Sequence, residues 1–188
     1  MAYHIVNIGD YLESFGEQEY KMLVADFSCP DDKDIERFLK DKAVLFHKQG
    51  ITRTFLVFSS DEFENVLVGY FAIAIKSLHI AKDVSQSLRR ILTGTKSNAF
   101  MSVPVFLIGQ LAKNYCNSHN RLVEGKTLLK FALDYIFRAR VWVGGRIVLV
   151  ECADIGQLHK FYSDNGFRRY ETDSEDGLIR YIMKIEDN

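Results

Sequence analysis

The sequence has few cysteines, and their arrangement excludes two kinds of stabilising site. Its 188 residues include three of them, Cys29, Cys116 and Cys152, an odd number without any CxxC spacing. A disulfide framework or a structural zinc cluster needs more cysteines at paired positions. We therefore expect reduced thiols, no metal site and a cytoplasmic protein.

The sequence also lacks an excess of charge of either sign and any long apolar run. Lys and Arg number 24 against 25 Asp and Glu, a formal net charge of -1. Such a balance provides no strong basic field to attract nucleic acid or an anionic membrane. Residues 66–75, the longest apolar run, fall far short of the ~20 residues that a membrane-spanning helix needs. The N-terminal residues MAYHIVNIGD show no signal-peptide pattern. We expect no membrane association.

Internal repeats, low-complexity tracts and linkers are absent as well. The chain is long enough for one domain with a substantial core. Its apolar content of 47% is ordinary for a globular protein. We therefore predict a single domain over residues 1–188.

The first half of the sequence predicts helices and an antiparallel hairpin. Pro30 followed by Asp31 and Asp32 is typical of a helix start, because proline is tolerated in the first turn and acids suit the helix dipole. Segments rich in β-branched and aromatic residues predict strands. In chain order, the predicted elements are a strand over 3–8, a helix capped by Asp10, a helix ending near Gly50, strands over 52–59 and 66–75 joined by a turn at 61–65, and a helix over 83–92 ending around Gly94.

Residues 103–167 contain the unit around which the rest of the chain is organised. The pattern is a strand (VPVFLIGQLA), a long turn, a helix with one apolar face and a second buried strand (RIVLVEC). Strands joined in this way by a crossover helix are parallel, with a right-handed connection. A helix over 155–164 ends at Asn165-Gly166, and strands over 167–171 and 178–185 follow, separated by an acidic loop over 172–177.

The long turn between Lys113 and Lys126 leads into the start of a helix. Backbone N–H groups there have no helical acceptor and can hydrogen-bond an anion such as a pyrophosphate. Arg121 and Lys126 would add positive charge. The signal is weak by itself, because every α/β crossover has a helix start and most of them bind nothing.

Taken in order, these segments resemble the GCN5-related N-acetyltransferase (GNAT) superfamily. The resemblance is carried by VPVFLIGQLAKN, by NRLVEG leading into TLLKFAL, and by VLVECADIGQLHKFYSDNGF. The earlier segments FSCPDDKDIERFLKDKA, RTFLVFS and VGYFAIAI resemble a branch that includes toxins acetylating the amino group of aminoacyl-tRNA. The similarity extends over residues 27–185.

The resemblance implies a fold, a cosubstrate and a set of binding residues. The fold would be α/β (α+β), with a central mixed, mostly antiparallel sheet of about six or seven strands, a parallel pair in its middle and flanking helices. The cosubstrate would be acetyl-CoA, without a metal. Leu111, Ala112 and Lys113 match the strand end that contacts pantetheine and the thioester carbonyl. The loop matching the pyrophosphate site comprises Asn120, Arg121, Leu122, Val123, Glu124, Gly125 and Lys126.

The same resemblance implies a catalytic acid, Tyr162, which matches the tyrosine that protonates the departing thiolate. An unperturbed tyrosine pKa of about 10 lies close to that of an alkyl thiol, so proton transfer is efficient. Glu151, at the end of the second parallel strand, is a candidate general base. Asn114, Asp154 and a water chain are alternatives, and Glu151 fits equally well as the structural partner of a lysine.

Four positions depart from the family pattern and bear on cofactor affinity. Asn120 replaces a longer Gln or Arg, and Val123 replaces a glycine, so that its β-branched side chain would crowd the ligand. Glu124 adds a carboxylate beside the expected anion. Ile155 stands where many members have an asparagine.

Three hypotheses follow. The first is an N-acetyltransferase acting on a primary amine of an unidentified small molecule, peptide or protein. The second is a toxin-type aminoacyl-tRNA acetyltransferase, which the net charge disfavours because tRNA binding needs a basic surface. The third is a non-catalytic member that binds acyl-CoA or a partner. A homodimer is a weaker expectation.

Overall fold

The computed structural model describes residues 2–60, 65–170 and 177–186. Seven strands form one sheet in the order β1-β2-β3-β4-β5-β7-β6. They are β1 (Ala2–Asn7), β2 (Arg53–Ser60), β3 (Asn65–His79), β4 (Ser102–Lys113), β5 (Ile147–Cys152), β6 (Arg168–Tyr170) and β7 (Ile179–Lys184). The helices are α1 (Ile8–Ala25), α2 (Lys33–Arg37), α3 (Ala43–Lys48), α4 (Gln86–Thr93), α5 (Gly125–Val143) and α6 (Gly156–Asp164).

The sheet is mixed, and its parallel pair is β4 with β5. Phe106, Leu107 and Ile108 lie opposite Val148, Leu149 and Val150, and α5 provides the crossover between the two strands. The pairs β1–β2, β2–β3, β5–β7 and β6–β7 are antiparallel. The predicted fold class, including the strand number and the central parallel pair, is confirmed.

The chain divides into two compact units. Unit 1 comprises Met1–Ala74 and Gly109–Tyr135, and unit 2 comprises Ile75–Ile108 and Ile136–Asn188. The strands β3 and β4 and the helix α5 each pass from one unit into the other. The single domain over residues 1–188 stays a prediction.

Two buried tyrosines hold the α2–α3 segment in the core of unit 1. The Tyr20 hydroxyl donates to the Leu39 carbonyl over 2.7 Å, and the Tyr70 hydroxyl donates to the Ile35 carbonyl over 2.5 Å. The Tyr70 ring also meets Phe27 edge-on at 5.4 Å. A buried tyrosine hydroxyl usually has a hydrogen-bond partner. Each tyrosine therefore joins apolar packing to a specific backbone contact.

A π-helical turn, Phe38–Lys42, connects α2 to α3. Within it the Ala43 N–H donates to the Phe38 carbonyl, five residues back. The turn buries Phe38 and Leu39 in the core of unit 1. Such turns are rare and mark a local departure from regular helix packing.

Unit 2 has its own apolar core. β5 contributes four consecutive buried residues, from Ile147 to Val150, and of these Ile147 and Leu149 pack with Leu92 of α4 and Tyr170 of β6. Arg89 is buried beside them and donates to the Ala81 and Phe100 carbonyls, each over 3.2 Å. Its charged group thus ties together the segments before and after α4.

Several predicted boundaries shift for local reasons. Asp10 does not cap α1, as we predicted, because the Asn7 side chain accepts the hydrogen bond from the Gly9 N–H at 2.7 Å and Asp10 lies in the first turn. The helix predicted over 83–92 begins later, since the Ser85 hydroxyl caps it. It ends at Gly94, as predicted, and Gly94 adopts the left-handed conformation. The predicted turn at 61–65 and the acidic loop at 172–177 fall largely on residues 61–64 and 171–176, outside the described residues.

No described helix has the length and apolar composition needed to cross a membrane. Within residues 2–60, 65–170 and 177–186, no group of three His, Cys, Asp or Glu side chains is arranged to hold a metal ion.

Candidate functional site

The end of β4 lies in unit 1 and has a close backbone neighbour. β4 pairs with β5 only as far as Ile108, and then continues through Leu111, Ala112 and Lys113. At Gly69 of β3, an added Cβ would lie 2.6 Å from the Ala112 carbonyl oxygen and 2.8 Å from Leu128 Cδ1. Only glycine permits this approach, so Gly69 sets the position of the strand end against α5.

Asn114 fixes the path of the chain as it leaves β4. Its Oδ1 accepts from the Ser28 and Cys116 N–H groups at 3.1 and 3.0 Å. Its Nδ2 donates to the Leu67 carbonyl over 2.9 Å, and the side chain is buried. A buried amide with such partners is a structural element. Asn114, an alternative base in the sequence interpretation, is thus engaged in holding backbone.

The loop before α5 is anchored at Leu122. A short 3₁₀ helix, Cys116–Arg121, contains two residues in the left-handed conformation, Asn117 and Ser118. The Leu122 N–H donates to the His119 carbonyl over 2.9 Å. The Leu122 carbonyl accepts from the Tyr3 hydroxyl at 2.7 Å, and the Tyr3 ring packs edge-on against Phe131. Both backbone groups of Leu122 are therefore used inside the protein.

The residues that follow present free backbone donors. The Glu124 carbonyl accepts from the Thr127 and Leu128 N–H groups at 3.0 and 3.2 Å, which begins the helix. The preceding N–H groups, those of residues 123–126, have no acceptor in the described part of the chain. Donors of this kind, together with the positive end of the helix dipole, attract a phosphate.

The side chains around these donors leave them accessible. Val123 is only 3% exposed, so its β-branched side chain lies in the protein interior and does not crowd the loop. Glu124 and Lys126 form a surface ion pair of 3.2 Å, with 69% of each side chain exposed. An ion pair so exposed contributes little to the free energy of folding. Lys126 can therefore leave Glu124 to bind an anion of higher charge. Arg121 is exposed, and Asn120 is half-buried.

In unit 2, Tyr162 lies in an aromatic cluster on α6. Its ring contacts those of Phe161, Phe167 and Tyr181 at centroid distances of 5.1, 5.7 and 5.9 Å. The helix ends as predicted, at Asn165-Gly166, where Gly166 has a φ of 85° and the Phe167 N–H donates to the Tyr162 carbonyl. This arrangement sets the orientation of the ring.

The Tyr162 hydroxyl has no hydrogen-bond partner among the described residues. Burial, with a smaller effect of the nearby Cys152, raises the pKa of Tyr162 well above its ordinary value. Desolvation disfavours the phenolate, so the hydroxyl keeps its proton. A rigid, neutral donor without an internal acceptor is suited to serve a ligand.

Glu151, also in unit 2, is the anion of a three-residue cluster. Lys76 Nζ donates to both carboxylate oxygens, at 2.8 and 2.6 Å, and Arg180 Nε donates to Oε1 at 2.8 Å. The β5–β7 register places Glu151 directly opposite Arg180. This is the structural alternative that the sequence left open. Sequence reasoning did not identify Arg180, because strand register cannot be read from one strand alone.

The remaining candidates in unit 2 lie next to α6. Asp154, the other alternative base, is exposed and contacts His159 Nε2 over 2.6 Å. The His159 ring stacks on Tyr181 at 5.9 Å. Ile155 precedes α6 without a side-chain cap and is 48% exposed. His159 thus has defined partners in Asp154 and Tyr181.

No protein family model and no curated protein sequence matches the chain. Solved structures do match it. AtaT complexed with acetyl-methionyl-tRNAfMet superposes with a TM-score of 0.69 at 21% identity, over 95% of this chain and 94% of that one. A tyrosine-to-phenylalanine mutant of KacT gives 0.67 at 18% identity, over 97% and 95%. AtaTR bound with acetyl-CoA gives 0.69 at 20% identity, over 97% and 93%. At these identities the likeness establishes the fold.

Proposed function

We propose that this chain, whose fold is that of the GNAT-type proteins AtaT and KacT, is an acetyl-CoA-dependent N-acetyltransferase. The observation that carries the proposal is the row of unpaired N–H groups over residues 123–126 at the start of α5. The row follows the β4 end in the order that the family resemblance implies. These backbone donors do not depend on the side chains that depart from the family pattern.

Unit 1 would bind the cosubstrate. The N–H groups of residues 123–126 would hold the diphosphate, with Arg121 and Lys126 adding charge. Backbone groups of Leu111, Ala112 and Lys113 would contact the pantetheine arm and the thioester carbonyl. Acetyl-CoA supplies the electrophilic carbonyl carbon. Pre-positioned backbone donors would stabilise the negative charge that develops on its oxygen.

In the proposed reaction, Tyr162 is the general acid. The acceptor nitrogen forms a bond to the acetyl carbon, the carbon–sulfur bond breaks, and the departing sulfur takes the proton of the Tyr162 hydroxyl. A proton released by the amine restores the phenol through solvent. Because its raised pKa keeps Tyr162 neutral, the acid form is present throughout the working pH range.

For the acceptor, we propose the amino group of an aminoacyl-tRNA. The toxin-like segments between Phe27 and Ile75 support this choice. So does the likeness of the whole chain to AtaT, whose structure contains acetyl-methionyl-tRNAfMet. An amine on a small molecule, a peptide or a protein is the alternative outcome of the test.

The proposal is tested first by cosubstrate binding. Acetyl-CoA at 100 times its Kd should stabilise the folded chain by about 2.7 kcal/mol, which is visible as a rise in Tm. Transfer of radiolabelled acetyl groups is then measured with aminoacyl-tRNA, peptides and small amines as acceptors. An unchanged Tm at millimolar acetyl-CoA would overturn the acetyltransferase. Binding without transfer to any acceptor would favour the non-catalytic alternative.

A further inference from the structure

A concave surface in unit 2, which the proposed chemistry does not use, is lined by four basic residues. Arg90 comes from α4, Lys96 from the segment after it, Arg146 from the approach to β5, and Lys184 from the end of β7. Ser87 and Gly94 also line this surface. The cavity volume is about 620 Å³. We call this surface the basic concavity.

Most of its positive charge is uncompensated. In the described residues, Arg90, Lys96 and Arg146 have neither an ion-pair partner nor a side-chain hydrogen bond. Lys184 contacts only Glu186, at 2.9 Å, and that glutamate is largely exposed. Concentrating cations on one concave surface is electrostatically unfavourable unless an anion binds there.

A groove of similar residue types on unit 1 shows the opposite arrangement. There Lys33 and Lys40 both contact Glu36, at 2.9 and 3.1 Å, and Arg37 contacts Asp34 at 3.3 Å. Its basic groups are neutralised within one helical segment. The basic concavity is therefore not an ordinary consequence of surface lysines and arginines in this protein.

The two adjacent arginines of α4 have different environments. Arg89 is buried and donates to the Ala81 and Phe100 carbonyls. Arg90, one residue later, is exposed and faces the basic concavity. Arg146 lies beside the end of α4, since an added Cβ at Gly94 would lie 3.3 Å from its guanidinium carbon.

The basic concavity lies away from Tyr162 along β5. Lys184 pairs with Ile147 at the start of β5, whereas Tyr181, on which Tyr162 packs, pairs with Val150 near its end. From Ile147 to Val150 the strand extends by roughly 10 Å. A ligand that engages both places must be long and carry several negative charges.

On the basis of the proposed function, we infer that the basic concavity binds the phosphate backbone of the tRNA acceptor. The described residues that line the basic concavity include four basic side chains and no acidic one, although the whole chain is nearly neutral. Phosphate contacts hold a nucleic acid in register without reading its sequence. A polynucleotide supplies phosphates over the required length, which a small amine does not.

Binding of uncharged tRNA tests the inference without requiring any chemistry. The full chain, the double variant Arg90→Ala/Lys96→Ala and the charge-matched control Lys82→Ala/Lys130→Ala are compared by fluorescence anisotropy over a series of KCl concentrations. All four substituted side chains are exposed, so folding should persist, and melting curves verify it. We expect about tenfold weaker binding for the Arg90/Lys96 variant and a salt slope smaller by about 1.5. The control should bind as the wild type does.

Three outcomes would overturn the inference. The wild type binds no tRNA, the two double variants weaken binding equally, or the Arg90/Lys96 variant loses affinity only for phosphatidylserine vesicles.

Acetyl transfer to an aminoacyl-adenosine and to an aminoacyl-tRNA separates this result from the proposed function. If neither is acetylated, the proposed function fails, while the binding comparison still decides the role of the concavity. If the aminoacyl-adenosine and the aminoacyl-tRNA are both acetylated, only the reaction with tRNA should show a raised KM in the Arg90/Lys96 variant.

Discussion

The candidate residues of unit 1 and those of unit 2 would act through different parts of the chain. In unit 1 the proposed groups are backbone donors over residues 123–126. Asn114, Tyr3 and Gly69 hold the surrounding backbone in position. In unit 2 the proposed group is one side chain, the Tyr162 hydroxyl. Backbone binding tolerates side-chain changes such as Val123, whereas side-chain chemistry does not tolerate the loss of its one functional atom.

The largest expected effect is that of Tyr162→Phe, which removes the proposed acid and keeps the ring contacts. We expect kcat to fall by 10²–10³-fold with an unchanged Kd for acetyl-CoA, because general acid catalysis contributes in that range. Steady-state kinetics and calorimetry measure the two quantities. The matched control is Tyr181→Phe, which alters a neighbouring tyrosine of the same cluster. Equal losses in both variants would argue against a specific role for Tyr162.

The pH dependence of kcat offers a second test of unit 2. Because the pKa of Tyr162 is raised, its acid form should persist above pH 10. We expect no decline in kcat from phenol ionisation between pH 7 and about 10. A titration with a midpoint near pH 9 that disappears in Tyr162→Phe would contradict the raised pKa.

For unit 1, Asn114→Ala should be the most damaging change to stability. It leaves the Ser28 and Cys116 N–H groups and the Leu67 carbonyl without their partner. We expect a loss of about 2–4 kcal/mol in the free energy of unfolding, since each unsatisfied buried group costs about 1–3 kcal/mol. Urea denaturation measures it. Asn117→Gly, in the exposed part of the same loop, is the control and should cost far less, because glycine adopts the left-handed conformation of this position without strain.

Gly125→Pro tests whether backbone donors bind the cosubstrate. Proline is tolerated at the first helical position, so the change deletes one N–H group without breaking α5. We expect the Kd for acetyl-CoA to rise about 10-fold or more, because hydrogen bonds to charged groups contribute about 1.5–3 kcal/mol. Gly125→Ala retains the N–H group and should bind normally. Matching affinities for the two variants would exclude a role for this donor.

The smallest expected effect concerns Glu36, which supports α2. The Cys29 N–H group, followed by Lys33, lowers the pKa of Glu36 to about 2 from its ordinary 4.5. A lowered pKa stabilises the fold above pH 4.5, and this contribution disappears as the pH falls towards 2. We expect Glu36 to contribute about 1 kcal/mol to the free energy of unfolding. This is less than the full pKa shift implies, because its ion pair with Lys33 is close to solvent. Unfolding of Glu36→Gln should show correspondingly less pH dependence over this range.

Much of the fold could be predicted from local patterns. The period of apolar residues in α5, the buried run in β5 and the Asn165-Gly166 stop are all local signals, and the structure contains each of them. Helix starts were less certain, because several polar residues competed for the same cap. At α1, Asn7 was selected over Asp10 by the geometry of the strand that precedes it.

The candidate site was predictable only where it depends on order along the chain. The loop before α5 and Tyr162 were located by motif order. The roles of Glu151 and Asn114 could not be predicted, because their hydrogen-bond partners are distant in sequence. Lys76 is 75 positions from Glu151, and Leu67 is 47 positions from Asn114. The orientation of Val123 likewise depends on how the loop folds back.

The sequence by itself determined the crossover unit and the positions of the candidate loop and tyrosine, because periodicity and helix-stop signals are encoded over a few residues, while its family resemblance implied the mixed α/β fold class. Only the tertiary structure decided which of these groups are free to act. It pairs Glu151 with two cations, places Val123 in the interior, leaves the N–H groups of residues 123–126 without an acceptor in the described part of the chain and gathers Arg90, Lys96 and Arg146 on one surface. Hydrogen bonds and ion pairs form between groups that are close in space, and the net charge of a sequence does not indicate which charged side chains lie together.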